Sequence, residues 1–112
     1  MIEKQKIKIL DCTLRDGGYY NKWDFDRQTV DRYLNGVANA KVDVVELGFR
    51  SLPKKYFMGP YVYTTDDFIN QLDLPEGPLY GVMINGKEFI GNSGSSESHI
   101  NKLFQIKEKS PI

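Results

Sequence analysis

The 112-residue sequence predicts an α/β fold of three strand–helix units whose strands run parallel. Three short apolar runs, at residues 7–10, 43–47 and 79–84, have the length and composition of buried strands. The segment between the first two runs has helical periodicity, and it is joined to both of them by tight connections. A strand, a helix and a second strand connected in this way place their strands parallel with a right-handed crossover.

The first unit consists of the strand at residues 7–10 and a helix that we expect to end near Asn39. A glycine pair at residues 17–18 breaks regular structure after the strand. Asp24 or Asp26 can cap the start of the helix. The apolar face of the helix follows the spacing i, i+3, i+4, i+7, i+8 and comprises Val30, Tyr33, Leu34, Val37 and Ala38.

The second and third strand–helix units are predicted from shorter sequence patterns. The second strand is β-branched and is expected to stop at Gly48. Thr64 with Asp67 resembles a capping box before a short helix, with aspartate in place of the usual glutamate. After the third strand, residues 91–98 are rich in Gly and Ser and predict a mobile loop. A third helix is expected after this loop, with an apolar face formed by Ile100, Leu103 and Phe104.

Three such units correspond in length to the first part of a TIM (β/α)8 barrel, which takes ~250 residues for eight units. We therefore predict that residues 1–112 form one partial TIM-barrel domain. The rival is a small open, doubly wound sheet. That rival requires a further strand, and the sequence pattern offers none.

Composition excludes several classes of protein. The formal net charge is zero and no dense Lys/Arg stripe is present, which argues against nucleic acid as a partner. No apolar run approaches the roughly 18 residues of a membrane span, and the N-terminus lacks signal-peptide features. Cys12 is the single cysteine and is interpreted as a packed residue at a strand end rather than a nucleophile. A cytoplasmic setting is the expectation.

Polar side chains with useful chemistry follow each predicted strand. They are Asp11, Thr13, Arg15 and Asp16 after the first, Glu46 at the end of the second, and Asn85 after the third. The carboxyl ends of parallel strands meet at one edge, where ligands bind. Carboxylate oxygens suit Mg²⁺ or Mn²⁺, and an arginine nearby stabilises an enolate. The alternative is a surface ion pair of Arg15 with Asp16, and a Glu46 that satisfies a helix N-terminus.

The run Asp-Cys-Thr-Leu-Arg-Asp-Gly at residues 11–17 resembles the opening motif of the DRE-TIM metallolyases, the HMGL-like superfamily. This group includes hydroxymethylglutaryl-CoA lyase, isopropylmalate and homocitrate synthases, 4-hydroxy-2-oxovalerate aldolase and pyruvate carboxyltransferase domains. Val-Val-Glu-Leu-Gly-Phe at residues 44–49 is similar to its second-strand motif. Gly-Val-Met-Ile-Asn at residues 81–85 is similar to the third strand of its aldolase-like members.

The resemblance implies a role for each matching residue. Asp16 would be a metal ligand, for Mn²⁺ or Mg²⁺ in the full-length enzyme, and Arg15 would steady the enolate oxygen. Glu46 would lie near the metal as an outer or water-mediated group that also contacts substrate, and Asn85 would make a polar contact to substrate. The strand end itself would be supported by Asp11 and Thr13.

The sequence also departs from the family pattern. The His-x-His pair that completes the family's metal site is absent, and the single histidine, His99, is expected to be a surface residue. The aldolase branch has a histidine where Tyr19 stands, and the synthase branch has a glutamate where Gly18 stands. A phenol is a better general acid than base, so Tyr19 or Tyr20 is a candidate acid or a substrate-lining aromatic.

Two hypotheses remain open at this point. The first is the N-terminal part of a metal-dependent aldolase or lyase, a carbon–carbon lyase acting on a small 2-oxo acid. As an isolated chain it would be inactive, and it would associate with itself or with the rest of its barrel. The alternative is a non-catalytic βα module with a binding or regulatory role. A reading frame that continues past Ile112 into further βα units with a His-x-His pair would favour the enzyme.

Overall fold

The computed structural model describes residues 6–90 and 96–112. Its strands are β1 Leu10–Asp11, β2 Val44–Phe49 and β3 Leu79–Met83. Its α-helices are α1 Thr13–Asp16, α2 Arg27–Asn39, α3 Pro60–Tyr63, α4 Asp66–Ile69 and α5 Ser96–Leu103. Short 3-10 turns cover Gly17–Tyr20, Gly86–Phe89 and Lys107–Lys109.

The three strands form one sheet in the order β1-β2-β3, and both neighbouring pairs are parallel. Leu10 lies opposite Val44, and Val44 lies opposite Leu79 on the other side. The predicted parallel α/β arrangement of three βα units is therefore confirmed. Continuation into an eight-stranded barrel stays a prediction.

Helices cover one face of this sheet. Successive side chains of a strand point to opposite faces, and in β2 it is Val45 and Leu47 that are fully buried. They join Val30 and Leu34 of α2 in a single core. Its other buried members are Leu14, Trp23, Tyr61, Val62, Ile69 and Leu72. The opposite face carries the exposed side chains of Leu10 and Leu79, and Glu46 of β2 also lies on it.

The predicted first helix is confirmed as α2, which ends at Asn39. Of the two candidate caps, the helix uses Asp26, whose Oδ2 accepts a hydrogen bond from the backbone N–H of Thr29 at 3.1 Å. A cap of this kind satisfies one of the free amide groups in the first turn.

The predicted start of the first strand and the predicted end of the second strand were wrong. β1 begins at Leu10 rather than at residue 7, because the backbone N–H of Ile9 donates to the Asp43 carboxylate at 2.8 Å instead of to a strand partner. Gly48 lies inside β2 and does not end it. Its φ of +154° brings the backbone against α3, where an added Cβ would lie 2.2 Å from the Tyr61 carbonyl oxygen.

The capping residue of the short helix was also predicted wrongly. Thr65 caps α4 by accepting from Phe68 N–H at 3.2 Å. Thr64 has a left-handed backbone with φ of +36° and ends α3 instead. Its hydroxyl donates to the Tyr61 carbonyl at 2.9 Å, so it is engaged one helix earlier than expected.

The third predicted helix is present as α5, Ser96–Leu103. Of the loop expected at residues 91–98, residues 91–95 lie outside the described residues, and residues 96–98 already belong to the helix. His99 is not a surface residue, since only 9% of it is exposed. Its ring packs beside that of Phe89, with 6.1 Å between the centroids.

Candidate functional site

The turn after β1 fixes the backbone that carries Arg15 and Asp16. The backbone N–H groups of these two residues donate to the Cys12 carbonyl at 3.1 and 2.9 Å, which closes α1 directly after the strand. Asp11 Oδ1 accepts from the Thr13 N–H at 2.9 Å and from the Tyr33 hydroxyl. This places both functional side chains at the carboxyl edge of the sheet.

Burial raises the pKa of Asp11, but the hydrogen bonds from Tyr33 and Thr13 outweigh it and hold that pKa below its usual value. The Tyr33 phenol has a raised pKa because it is partly buried and donates to this carboxylate. Asp11 is thus an ionised structural acceptor that fixes the strand end.

The indole of Trp23 anchors the same turn from the other side. Its Nε1–H donates to the carbonyl of Arg15 at 2.7 Å, and only 7% of the residue is exposed. The ring lies so close to Gly18 that a Cβ there would be 1.9 Å from an indole carbon. Packing therefore requires glycine at position 18, where the synthase branch of the DRE-TIM metallolyases, which the sequence resembles, has glutamate.

The guanidinium of Arg15 meets the Glu46 carboxylate, which is 31 positions further along the chain. Arg15 Nε lies 2.7 Å from Glu46 Oε2, and the two side chains are 21% and 18% exposed. The N–H direction does not suit a hydrogen bond, and among the described residues neither atom has a hydrogen-bond partner. The contact is therefore a close, partly buried ion pair in which the two charges face each other.

Two further side chains hold the guanidinium in place. Arg15 Nη1 lies 2.8 Å from the Met83 sulfur at the end of β3, and Cζ lies 5.9 Å from the centroid of the Phe49 ring. Burial lowers the pKa of Arg15. The contact with the Cys12 thiol and the charges of Glu46 and Asp16 outweigh that effect and hold the pKa above its usual value. The group is a fixed positive charge at the sheet edge.

Asp16 lies at the open side of this cluster. Its side chain is 62% exposed, and Oδ1 lies 3.8 Å from Arg15 Nη1. Its other oxygen accepts from the Cys12 thiol at 3.4 Å. A carboxylate in this position has room for a divalent cation. Across residues 6–90 and 96–112, however, no three His, Cys, Asp or Glu side chains are grouped as a metal site requires. These residues fit a metal in part, with Asp16 as the available ligand.

Tyr19 and Asn85 both line a neighbouring cavity of about 200 Å³. Tyr19 is 68% exposed and lies edge-on to Trp23, with 4.7 Å between the ring centroids. Asn85 Oδ1 accepts from the Lys87 N–H at 3.2 Å, which caps the 3-10 turn after β3. The structure thus forms two groups, Arg15 with Asp16 and Glu46, and Tyr19 with Asn85, which adjoin at Phe49.

Sequence reasoning missed three side chains that shape the site: Trp23, Phe49 and Met83. Phe49 and Met83 fall inside the quoted strand motifs and are the last residues of β2 and β3, so their position was a usable signal. Trp23 is the single tryptophan of the chain and had no comparable signal. Its contact with Arg15 depends on how the loop folds back.

Sequence reasoning also missed Arg50, whose side chain is almost fully buried. Its guanidinium donates to the Thr64 carbonyl at 2.8 and 3.0 Å, to Asp66 Oδ1 at 2.8 Å and to the Leu103 carbonyl at 3.1 Å. Every nitrogen is engaged, so this arginine holds α4 and α5 together. It lines a larger cavity of about 520 Å³ between these helices.

The structure is that of an α/β chain in which Arg15, Asp16 and Glu46 form a cluster at the carboxyl edge of three parallel strands. Among solved structures, the chain is similar to the N-terminal domain of a "putative aldolase" from Bacteroides vulgatus. The sequences are 40% identical, the TM-score is 0.68, and the match covers 73% of this chain. It covers 27% of the chain in that structure, so this chain spans about a quarter of the length of that N-terminal domain.

No family model matches the sequence, and no curated protein matches it. None of the helices in the described part of the chain has the length and apolar character needed to cross a bilayer.

Proposed function

We propose that the chain forms the N-terminal part of a metal-dependent carbon–carbon lyase that acts on a small 2-oxo acid by aldol or retro-aldol chemistry. The observation that supports this most directly is the Arg15–Glu46 pair with the exposed Asp16 carboxylate beside it, at the carboxyl edge of parallel strands. Similarity to the N-terminal domain of the aldolase-like protein supports the same class.

In this proposal, Arg15 stabilises the charge that develops when the bond breaks. The proton of a 4-hydroxyl group passes to a base supplied by the rest of the protein. The C3–C4 bond then breaks, C4 becomes an aldehyde, and the electron pair forms the enolate of the 2-oxo acid. The Arg15 guanidinium, a partly buried positive charge held at this edge by Glu46, is proposed to stabilise that enolate oxygen. Tyr19 then gives its hydroxyl proton to C3 and regains one from solvent.

Asp16 is proposed as the ligand that this chain contributes to Mn²⁺ or Mg²⁺. When bound, such an ion polarises the 2-oxo group and so makes the enolate easier to form. Glu46 is held back by Arg15, which suits an outer, water-mediated position and a contact to substrate. Asn85 is proposed to contact substrate from the third strand. As Cys12 is a free thiol, the proposed location is the cytoplasm.

The test uses the protein in its full natural length with Mn²⁺ and a 4-hydroxy-2-oxo acid. Arg15→Lys is expected to lower kcat by about 10²–10³-fold, as when a single oxyanion donor is lost. Asp16→Asn is expected to abolish the dependence on Mn²⁺. Arg27→Lys is the matched control, because Arg27 lies on α2 and forms an exposed ion pair with Asp31. Full activity of Arg15→Lys, or no turnover by the wild-type protein, would overturn the proposal.

The isolated 112-residue chain is predicted to be inactive. Metal affinity depends on the number and preorganisation of ligands, and this chain contributes one available carboxylate to the site. Isothermal titration with Mn²⁺ should therefore show weak or no binding, and the retro-aldol assay should show no turnover. Tight stoichiometric binding together with turnover that Asp16→Asn removes would contradict this prediction.

The open face of the sheet is proposed to pack against the remainder of a barrel or, in the isolated chain, against a second copy. Leu10 and Leu79 lie on this face at the same level of the sheet and are 50% and 67% exposed. Large apolar side chains grouped on one exposed face favour association, because burying them removes apolar surface from water.

A further inference from the structure

The cavity of about 520 Å³ between α4 and α5 has no part in the proposed reaction. Arg15, Asp16 and Glu46 are absent from its lining, and it shares only Ser51 and Lys54 with the smaller cavity next to it. Small-molecule sites in proteins are concave spaces of roughly 300–1,000 Å³ with a few polar groups at fixed positions. A cavity of this volume therefore has room for a small organic molecule.

Arg50 provides a buried donor at this cavity. A guanidinium has five N–H groups. Four of them donate here to protein oxygens, those of Thr64, Asp66 and Leu103, with two of the bonds on the Thr64 carbonyl. The fifth is the second N–H of Nη1, and it has no acceptor among the described residues. Arg50 is 1% exposed and lines the cavity. Because a buried donor without an acceptor costs free energy, an oxygen atom of a bound molecule is favoured at this position.

The charges around the cavity suit a group with a single negative charge. Both oxygens of Asp66 already accept hydrogen bonds from the protein, so this carboxylate is occupied. The other charged groups of the lining are the cations Lys54 and Lys102 and the exposed carboxylate of Asp67. Lys54 also lies 3.9 Å from Glu88 Oε1, a long and partly exposed ion pair of a kind that contributes little. Two lysines beside one carboxylate leave a small positive surplus, which a carboxylate balances and a phosphate dianion exceeds.

The wall of the cavity contains a pair of stacked aromatic rings. The rings of Phe57 and Tyr63 lie 5.6 Å apart between centroids, with 20° between their planes. Phe57 is 75% exposed and makes no other ring contact across residues 6–90 and 96–112. An aromatic ring gains from a planar partner on its free face, both by offset stacking and by removal of apolar surface from water. The wall thus offers a place for a second planar ring.

We propose that this cavity binds a small aromatic monocarboxylate. Its carboxylate accepts from the free N–H of Arg50, with the cations of Lys54 and Lys102 beside it, and its ring packs against Phe57. The site is separate from the Arg15 edge, so the inference goes beyond the proposed function and does not depend on it.

The first arm of the test is isothermal titration of the full-length protein with 3-phenylpropionate. We expect saturable binding of one molecule per chain. The alcohol 3-phenylpropan-1-ol keeps the ring and loses the charge, and it should bind about tenfold more weakly, because hydrogen bonds to charged groups are the stronger ones. 3-Cyclohexylpropionate keeps the charge and loses the planar ring, and it should also bind more weakly. Tighter binding of adenosine monophosphate than of 3-phenylpropionate would overturn the assignment to a monocarboxylate.

The second arm locates the binding on the chain. Phe57→Ser should weaken the binding of 3-phenylpropionate by at least about threefold, since the ring contact is lost. Tyr56→Ser is the matched control, because Tyr56 is the adjacent residue, is 71% exposed and does not line the cavity. Asp16→Asn should bind the acid as the wild-type protein does, which separates this site from the proposed reaction. No saturable binding, or equal affinities of Phe57→Ser and Tyr56→Ser, would refute the inference whatever the result of the retro-aldol assay.

Discussion

Replacing Asp66 by asparagine is expected to lower the free energy of unfolding, because the Asp66 carboxylate holds the C-terminal segment to the core. Asp66 Oδ1 accepts from the buried Arg50 guanidinium at 2.8 Å and from the Ser110 hydroxyl at 3.0 Å. Its Oδ2 accepts from the Gln105 side-chain amide at 2.7 Å. The carboxylate therefore joins α4 to Arg50, which follows β2, and to two residues of the C-terminal segment.

The expected loss follows from burial on both sides of the pair. The side chains of Arg50 and Asp66 are 2% and 7% exposed. Asparagine keeps the shape of the side chain but removes its charge, so the Arg50 guanidinium is left buried without a negatively charged partner. Removal of one member of a buried ion pair costs about 3–5 kcal/mol. A domain of this size is stabilised by about 5–15 kcal/mol, so the loss is a large fraction of the whole.

Urea unfolding followed by Trp23 fluorescence and circular dichroism measures this loss, with protein concentration held constant. Asp67→Asn is the matched control, because it is the same change at the next residue of α4, which is exposed. That variant is expected to change the free energy of unfolding by less than about 0.5 kcal/mol. Equal stability of Asp66→Asn and wild type, or an equal loss in both variants, would refute the reasoning.

The same pair predicts a pH dependence with a defined sign. Burial raises the pKa of Asp66, but the hydrogen bonds from Gln105, Arg50 and Ser110 and the charge of Arg50 outweigh it and lower that pKa below 3.8. The stabilisation is therefore complete above the unfolded value and is lost as the pH falls through the lowered folded value. The difference between wild type and Asp66→Asn should be full at neutral pH and shrink below about pH 4. A difference that does not change with pH would contradict the assignment.

Two other sites give predictions of known sign. Gly48→Ala is expected to destabilise the chain by at least about 2 kcal/mol, because a Cβ at its positive φ meets the α3 backbone. Gly36→Ala lies in the exposed interior of α2, where an added Cβ has nothing within 4 Å, and should stabilise the chain by about 0.5–1 kcal/mol. Thermal unfolding of the two variants measures both effects, and a shift of the melting temperature in the same direction for both would contradict the predictions. Leu79→Lys should lower self-association of the isolated chain in sedimentation velocity, and unchanged association would show that the open face of the sheet is not the contact.

Much of the fold follows from local patterns in the sequence. The spacing of Val30, Leu34 and Val37 determines which side of α2 is apolar, and the apolar runs identify three strands. Parallel pairing follows from strand–helix–strand order, because a crossover helix returns the chain to the same edge. These rules also placed Arg15, Asp16 and Glu46 at the carboxyl edge of the sheet. They depend only on residues that are close in sequence.

The tertiary structure alone decided which partner each of these side chains meets. The Arg15 guanidinium contacts Glu46 and Met83 rather than forming a surface pair with Asp16 alone, and Arg50 is buried against Asp66. The strand start at Leu10 was likewise set by a carboxylate 33 positions away, that of Asp43. Such contacts join segments that are far apart in sequence, and the distance between these segments in the fold depends on the packing of the whole core. A local sequence pattern does not contain that distance. It therefore indicates the edge of the sheet at which a residue lies but not the group that the residue contacts.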